Sequence, residues 1–136
     1  MKGDRATALV CKDDKVLMIH RLRDGNDYYV LPGGHVEDNE PVEVAVMREL
    51  KEETSIEVKL GKKLCSFLDR DGRTHHIYIC DYISGTPRLA KGVMELDRTS
   101  KNNTYTPVWF DINKIQDISV WPEEEREILL AYFKRG

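Results

Sequence analysis

No apolar run in these 136 residues is long enough to span a bilayer, so no membrane association is expected. The opening residues Met1-Lys2-Gly3-Asp4-Arg5 lack the apolar core of a secretory leader, which makes a cytoplasmic location the expectation. Cysteine is scarce: Cys11, Cys65 and Cys80 are odd in number, form no C-x-x-C pair and read as reduced core residues. Without a leader, the glycosylation sequon at Asn102-Asn103-Thr104 reads as idle. Excess positive charge is missing too. A formal net charge of -3 argues against a broad nucleic-acid coat, and no stable nucleic-acid complex is expected. A nucleotide-sized ligand is not excluded, because it answers to the local charge of a cleft rather than to the total. Internal repeats and low-complexity tracts are absent, so residues 1–136 are expected to form one domain.

A hydrophobic fraction of 40% and a charged fraction of 33% suit a compact globular domain, and 136 residues can bury a real core. Dense apolar residues at 6–11 and 15–21 predict a hairpin around Lys12-Asp13-Asp14, and a third short strand over 28–31 stops at Pro32. A helix is predicted over 41–54, with Pro41 in the first turn, where its missing amide costs little. Strands at 56–69 and 73–83 flank an Asp71-Gly72 turn. The polar stretch 84–103, with its glycines and proline, predicts a loop of a length that is often functional. A strand over 105–110 follows, then a short helical turn capped by Asp111, then an amphipathic helix from Pro122 to about Lys134. This order implies a mixed sheet covered on two faces.

The chemistry concentrates in Arg48-Glu49-Leu50-Lys51-Glu52-Glu53, preceded by Pro32-Gly33-Gly34 and Glu40. On a helix, Glu49, Glu52 and Glu53 fall within about a third of the circumference. Val44, Val46, Met47 and Leu50 are expected on the docking side, leaving Ala45 alone to interrupt the acidic stripe. Like charges at 49 and 53 repel by about a few tenths of a kcal/mol, and acids in the last turns oppose the helix dipole. A divalent cation would reverse that local cost, since hard ions such as magnesium take carboxylate and carbonyl oxygens together with water. The plain alternative is a solvated face balanced by Arg48 and Lys51. The glycine pair after an apolar strand, with Glu40 and the acids at set distances beyond it, favours a metal and phosphate site.

Gly34, Glu40, Arg48, Glu49, Leu50, Glu52, Glu53 and Ile56 match the pattern G-x5-E-x7-R-E-U-x-E-E-x-G-U, where U is aliphatic, and on these residues the chain resembles the Nudix hydrolases, the small MutT-like members in particular. Ser55 departs from the pattern where the family has glycine, a residue suited to the left-handed turn that ends a helix. The flanking segments Val16-Leu17-Met18-Ile19, Tyr29-Val30-Leu31-Pro32 and Tyr105-Thr106-Pro107-Val108-Trp109-Phe110 are similar as well. The resemblance implies an α/β/α sandwich around a central mixed β-sheet, the pattern itself forming a loop-helix-loop. It implies Mg2+, with Mn2+ as a substitute, on Glu49, Glu52, Glu53 and the Gly34 carbonyl. Glu40 and Arg48 become a supporting pair in which the arginine holds the catalytic glutamates. The general base is Glu49 first and Glu95, in the polar loop, second. The implied reaction is hydrolysis of a phosphoanhydride in a nucleoside diphosphate linked to another moiety, such as a nucleoside triphosphate, a nucleotide sugar or ADP-ribose. A non-nucleotide diphosphate substrate, a non-catalytic nucleotide sensor and a homodimeric state stay open.

Outside the pattern, basic residues cluster at His20-Arg21-Leu22-Arg23 and at 70–73. Arg21, Arg23, Arg70 and Arg73 are candidate phosphate contacts, weighed against ordinary solvated turn residues. Tyr28, Tyr29, Tyr105 and Trp109 could stack on a base, although aromatics in strands are more often core. His75 and His76 are neighbours in a strand and point to opposite faces, so at most one can face a substrate.

Overall fold

The computed structural model describes residues 3–88 and 103–134. Its strands are β1 (Arg5–Lys12), β2 (Lys15–Arg23), β3 (Asn26–Val30), β4 (Gly33–His35), β5 (Glu57–Leu68), β6 (Thr74–Ser84) and β7 (Asn103–Asp111). Helix α1 (Val42–Thr54) lies between β4 and β5, and a 3-10 helix (Ile112–Asp117) and α2 (Glu123–Lys134) follow β7. The hydrogen-bonded path runs β3-β2-β1-β6-β5, with β4 also on β1 and β7 also on β2.

The pairing contains a fork. β1 and β2 form the expected hairpin but share just Cys11–Val16 and Lys12–Lys15 before they diverge. β1 keeps β6 on its outer edge, parallel, from Arg5–His75 to Cys11–Asp81. β2 keeps β7 on its outer edge from Lys15–Asp111 to Arg23–Asn103. The two inner edges opened by the fork therefore take different partners: β3 lines β2 from Ile19–Val30 to Arg23–Asn26, and β4 lines β1 from Arg5–His35 to Thr7–Gly33. The short strand β4 was not foreseen, because Pro32-Gly33-Gly34 reads as a loop. Gly33 is admitted there because any side chain would overlap the Ala6 carbonyl.

Strand periodicity sorts the core into two layers. Ala6, Ala8 and Val10 of β1, with Leu17, Val58, Tyr78 and Cys80, pack against Ala45, Val46 and Leu50 of α1. Leu9, Val16, Met18, Leu31 and Ile77 pack on the other face against Ile115, Val120 and Leu129. The result is the expected α/β/α sandwich, mixed because β1 and β6 alone among the paired strands described run parallel. Among the described residues no helix is long and apolar enough to cross a membrane.

Several local expectations need correction. Pro41 precedes the first turn of α1: with φ -62 and ψ 143 it is extended and takes the capping position, its carbonyl accepting from the Val44 and Ala45 amides. Val44 is 52% exposed, whereas Ala45 is fully buried. The helix rests on the stripe Ala45-Glu49-Glu53, and the small side chain of Ala45 lets this face approach the sheet. The acids thus belong partly to the docking face. His75 and His76 do diverge: His75 is buried and stacked on Phe67, and His76 faces Asp4. In the β5–β6 connection the Asp69 carboxylate accepts from the Asp71 and Arg73 amides, and its second oxygen lies 2.7 Å from His75 Nε2. Of the expected 84–103 loop, residues 89–102, Glu95 included, lie outside the described residues.

Helix α1 ends as the family glycine would end it, but with a serine. Ser55 has φ 62 and ψ 8, and its amide donates to the Lys51 carbonyl at 3.0 Å. An L-residue strains in this left-handed conformation and glycine does not. Replacing Ser55 by Gly is expected to raise stability by up to about 1 kcal/mol, the relief being partly offset by the freer unfolded chain. Urea unfolding measures it, and a lower midpoint for the glycine variant would contradict the account.

Candidate active site

The fork between β1 and β2 opens into a cleft of about 540 Å3. Gly33, Gly34, Glu49 and Glu53 form its acidic side, Arg5, Arg21 and Arg23 its basic side, and Tyr28, Tyr105 and Trp121 supply aromatic surface. All but Trp121 belong to elements that the fork positions. The glycines lie on β4, the acids on the face of α1 lying on β1 and β4, and the arginines on the two diverging strands.

The acids are held from below. Glu53 is buried and accepts from the Gly33 amide at 2.7 Å. Glu49 abuts Gly34 so closely that a side chain at position 34 would overlap its carboxylate. Arg48 ties this corner together. Its Nε and Nη2 donate to the two oxygens of Glu40 at 2.8 and 2.9 Å, its Nη1 donates to Glu49 at 2.9 Å, and Nη2 also reaches the His35 carbonyl at 3.1 Å. The planar fork of a guanidinium suits these simultaneous bonds, which a lysine could not copy. Glu40 in turn accepts from the Glu37 amide, closing the loop before α1.

These contacts shift proton affinities in opposite directions. The Arg48 hydrogen bonds, helped by the Glu37 amide, hold Glu40 down at about 2, so it stays ionised. Burial pushes Glu49 up, with Arg48 opposing. The donors gathered here are all hard oxygens, the chemistry magnesium prefers. Glu52 stands apart, its side chain 42% exposed against 12% for Glu49. Among the described residues no three acid, histidine or cysteine side chains already form a metal cage.

The residues singled out from sequence are distributed unevenly. Gly34, Glu49, Glu53, Arg21 and Arg23 line the cleft, and Arg48 and Glu40 brace it. Arg21 is also packed: it donates to the Thr104 carbonyl and the Asn103 side chain, and its guanidinium lies 3.6 Å from the Tyr105 ring centroid. Arg73 reaches the cleft margin, where its Nη2 is 3.2 Å from His35 Nδ1. Arg70 stands on the exposed β5–β6 turn beside Glu123 and does not line the cleft. Tyr29 faces away, stacked on His20 and tilted against Phe110, because alternation along β3 turns Tyr28 and Val30 inward instead. Trp109 packs edge-on against Tyr82 in the α1 layer.

Three contributors went unnoticed in the sequence. Arg5 sits opposite His35 in the β1–β4 pairing and donates to the Leu31 carbonyl at 3.1 Å. Trp121, 43% exposed, comes from the segment before α2. Glu125, in the first turn of α2, is 1% exposed and accepts from the Leu31 amide at 3.2 Å. Burial pushes Glu125 up to about 7, against the pull of Arg5 and that amide. Glu125 is the third of three consecutive glutamates and is followed by Arg126 and Glu127, a run that reads as a solvated face and gives no sequence signal for such placement.

Known proteins resemble this chain in sequence and in fold. The family model for the NUDIX domain matches residues 1–132. An ADP-ribose pyrophosphatase of Methanocaldococcus jannaschii is 38% identical over 120 residues, covering 83% of this chain and 70% of that protein. An uncharacterized Nudix hydrolase of Bacillus subtilis, YvcI, is 30% identical over 134 residues, covering 91% of this chain and 74% of its own. Among solved structures, a MutT NUDIX hydrolase from Burkholderia pseudomallei superposes with a TM-score of 0.62 at 26% identity, covering 82% of this chain and 84% of that one.

Two outcomes follow from the site's packing. Gly33→Ala pushes a methyl into backbone and is expected to cost about 1–3 kcal/mol of stability. Gly34→Ala meets the movable end of Glu49 and is expected to cost less; thermal unfolding of both variants ranks them, and the reverse order would contradict the placement of β4. Glu125 binds its proton more tightly folded than unfolded, so its contribution to stability is intact below about pH 4.5 and declines as pH rises through about 7. Glu125→Gln should therefore gain on the parent protein between pH 5 and pH 8 in urea midpoints; parallel profiles would show that the carboxyl titrates normally.

Proposed function

The chain belongs to the Nudix family of pyrophosphohydrolases, and from that premise we propose that it hydrolyses the diphosphate of a nucleoside diphosphate linked to a second group, ADP-ribose being the first candidate, with Mg2+ as cofactor. The observation that carries this reading is the placement of Glu49 and Glu53 against Gly33 and Gly34, braced by Arg48, at the acidic side of a cleft whose other side is basic. An anhydride between two phosphates carries negative charge along its length, so it needs cations on one flank and a metal on the other.

Glu49 and Glu53 would hold the ion, with Glu52 and the Gly34 carbonyl as the remaining protein donors. Bound there, Mg2+ supplies charge neutralisation on phosphate oxygens and acidifies a water. Arg5 and Arg23 would meet the phosphates from the basic side, while Arg21, committed to Asn103 and Thr104, contributes mainly charge. Tyr28 and Trp121 offer surface for a planar base where the cleft adjoins a second hollow that they share with Arg23. Water attacks one phosphorus, its P–O anhydride bond breaks, and the leaving phosphate departs with the bonding electron pair. The water's proton passes to a glutamate, for which Glu49 is the first candidate. Glu40 and Arg48 act through geometry, keeping Glu49 turned to the cleft.

The test is a magnesium-supplemented panel of ADP-ribose, nucleotide sugars, nucleoside triphosphates and dinucleoside polyphosphates, with phosphate and nucleoside monophosphate as readouts. ADP-ribose is expected to yield AMP. Glu53→Gln should lower kcat by about 100-fold or more, and Arg48→Lys by about 10- to 100-fold with stability nearly intact. Turnover that survives both Glu53→Gln and magnesium removal would overturn the proposed site, and silence toward every nucleotide would turn attention to non-nucleotide diphosphates.

A further inference from the structure

We propose that Glu125 is a positioning residue of the hydrolytic site, setting the glycine turn from the opposite face of the sheet through the Leu31 amide. The inference rests on the reading that the carboxylates of α1 held against this turn, Glu49 and Glu53, bind the metal. β3 presents an edge to the segment before α2, and the two are zipped together: the Tyr29 amide donates to the Ser119 carbonyl, and the Trp121 amide to the Tyr29 carbonyl, both at 2.9 Å. The next amide along that edge is Leu31, and there the backbone ladder has ended. The Glu125 carboxylate takes the place of the missing carbonyl, with Oε1 accepting from Leu31 at 3.2 Å.

From Leu31 the constraint passes directly to the acids. The Leu31 carbonyl accepts from Arg5 at 3.1 Å, the Pro32 carbonyl from the Ala8 amide at 2.9 Å, and the Gly33 amide donates to Glu53 at 2.7 Å. Over three residues the backbone is gripped by α2, β1 and α1, so a shift at Leu31 becomes a shift at Gly33 and Glu53. Packing alone would not choose glutamate here. An acid in a helix's first turn is ordinarily left in water near the free amides, as the exposed Glu123 shows is available to this helix. Glu125 instead is turned inward, with Oε2 making no hydrogen bond among the described residues. A buried acid with half its capacity unused is a costly filler, and a leucine of similar size would cost less. The charged and titratable groups facing it are Arg5 from β1 and Cys65 from β5. Neither replaces the acceptor for Leu31.

Three full-length variants test this. Glu125→Gln keeps an acceptor at Oε1, Glu125→Met keeps the volume without one, and Glu125→Asp keeps the charge but falls short in reach. The expected result is a fall in kcat of about 10-fold or more for the Met and Asp variants, KM changing far less, with Gln restoring most of the rate. Amide hydrogen exchange should quicken at Leu31 and Gly33 in Met and Asp and stay slow in Gln. Unchanged exchange and kcat in folded Met or Asp protein would overturn the proposal, as would a Gln variant as impaired as Met. Should Met fail to fold, Asp against Gln decides alone. If the parent protein turns over no diphosphate, the hydrolase reading falls, while exchange at Leu31 and Gly33 still decides whether Glu125 sets the turn.

Discussion

Strands β1 and β2 stay paired for two residues at their hairpin and then part, and the backbone groups bared at that fork must be satisfied by something else. β3 takes the inner edge of β2 and β4 takes the inner edge of β1. Since β3 and β4 are consecutive, the two residues joining them, Leu31 and Pro32, bridge the fork, and the glycines that follow lie at the bottom of the opening. The cleft is thus a product of strand pairing. Its acidic side exists because α1 follows immediately and must cover β1 with the same face that bears Glu49 and Glu53.

That coincidence creates an electrostatic problem which Arg48 answers. Two acids pressed between a helix and a sheet lose hydration, and Glu49 responds with a raised proton affinity. Arg48 offsets part of this by donating to Glu49, and it is itself anchored by both oxygens of Glu40. Glu40 bears the opposite shift, to about 2, so the anchor remains charged while burial raises the proton affinity of Glu49. The arrangement places an ionised brace outside and a more easily protonated acid inside.

The elements most legible in sequence were those governed by local periodicity. The first hairpin, both helices, the Asp71-Gly72 turn and the 3-10 turn capped by Asp111 lie close to where the residue pattern places them. Misreadings came where a neighbour in space overruled the pattern. Val44 was assigned to the buried side of α1 because it is apolar, yet the sheet accepts Ala45, whose small side chain permits close approach. Tyr29 and Tyr28 are indistinguishable by type, and the pairing of β3 decides which faces the cleft. Arg70 and Arg73 lie three apart in one basic run, but only Arg73 reaches His35. Ser55 shows a different limit: the left-handed turn forms at this position although the residue does not favour it, because the helix must stop where Ile56 enters the core.

The order of residues along the chain carried the reaction chemistry, since Gly34, Glu40, Arg48, Glu49 and Glu53 are close enough in sequence for one turn and one helix to bring them together. Helical geometry alone aligns acids three and four apart, and no distant contact is required for it. The basic and aromatic sides of the cleft were different in kind. Arg5, Arg21, Tyr28, Tyr105 and Trp121 come from four strands and the segment before α2, and sheet registry brings them to one opening. Glu125 is the extreme case, an acid 94 residues from the amide it holds. Contacts across such separations depend on which edges the strands leave free, and that is settled by the packing of the whole sheet rather than by any local run of residues.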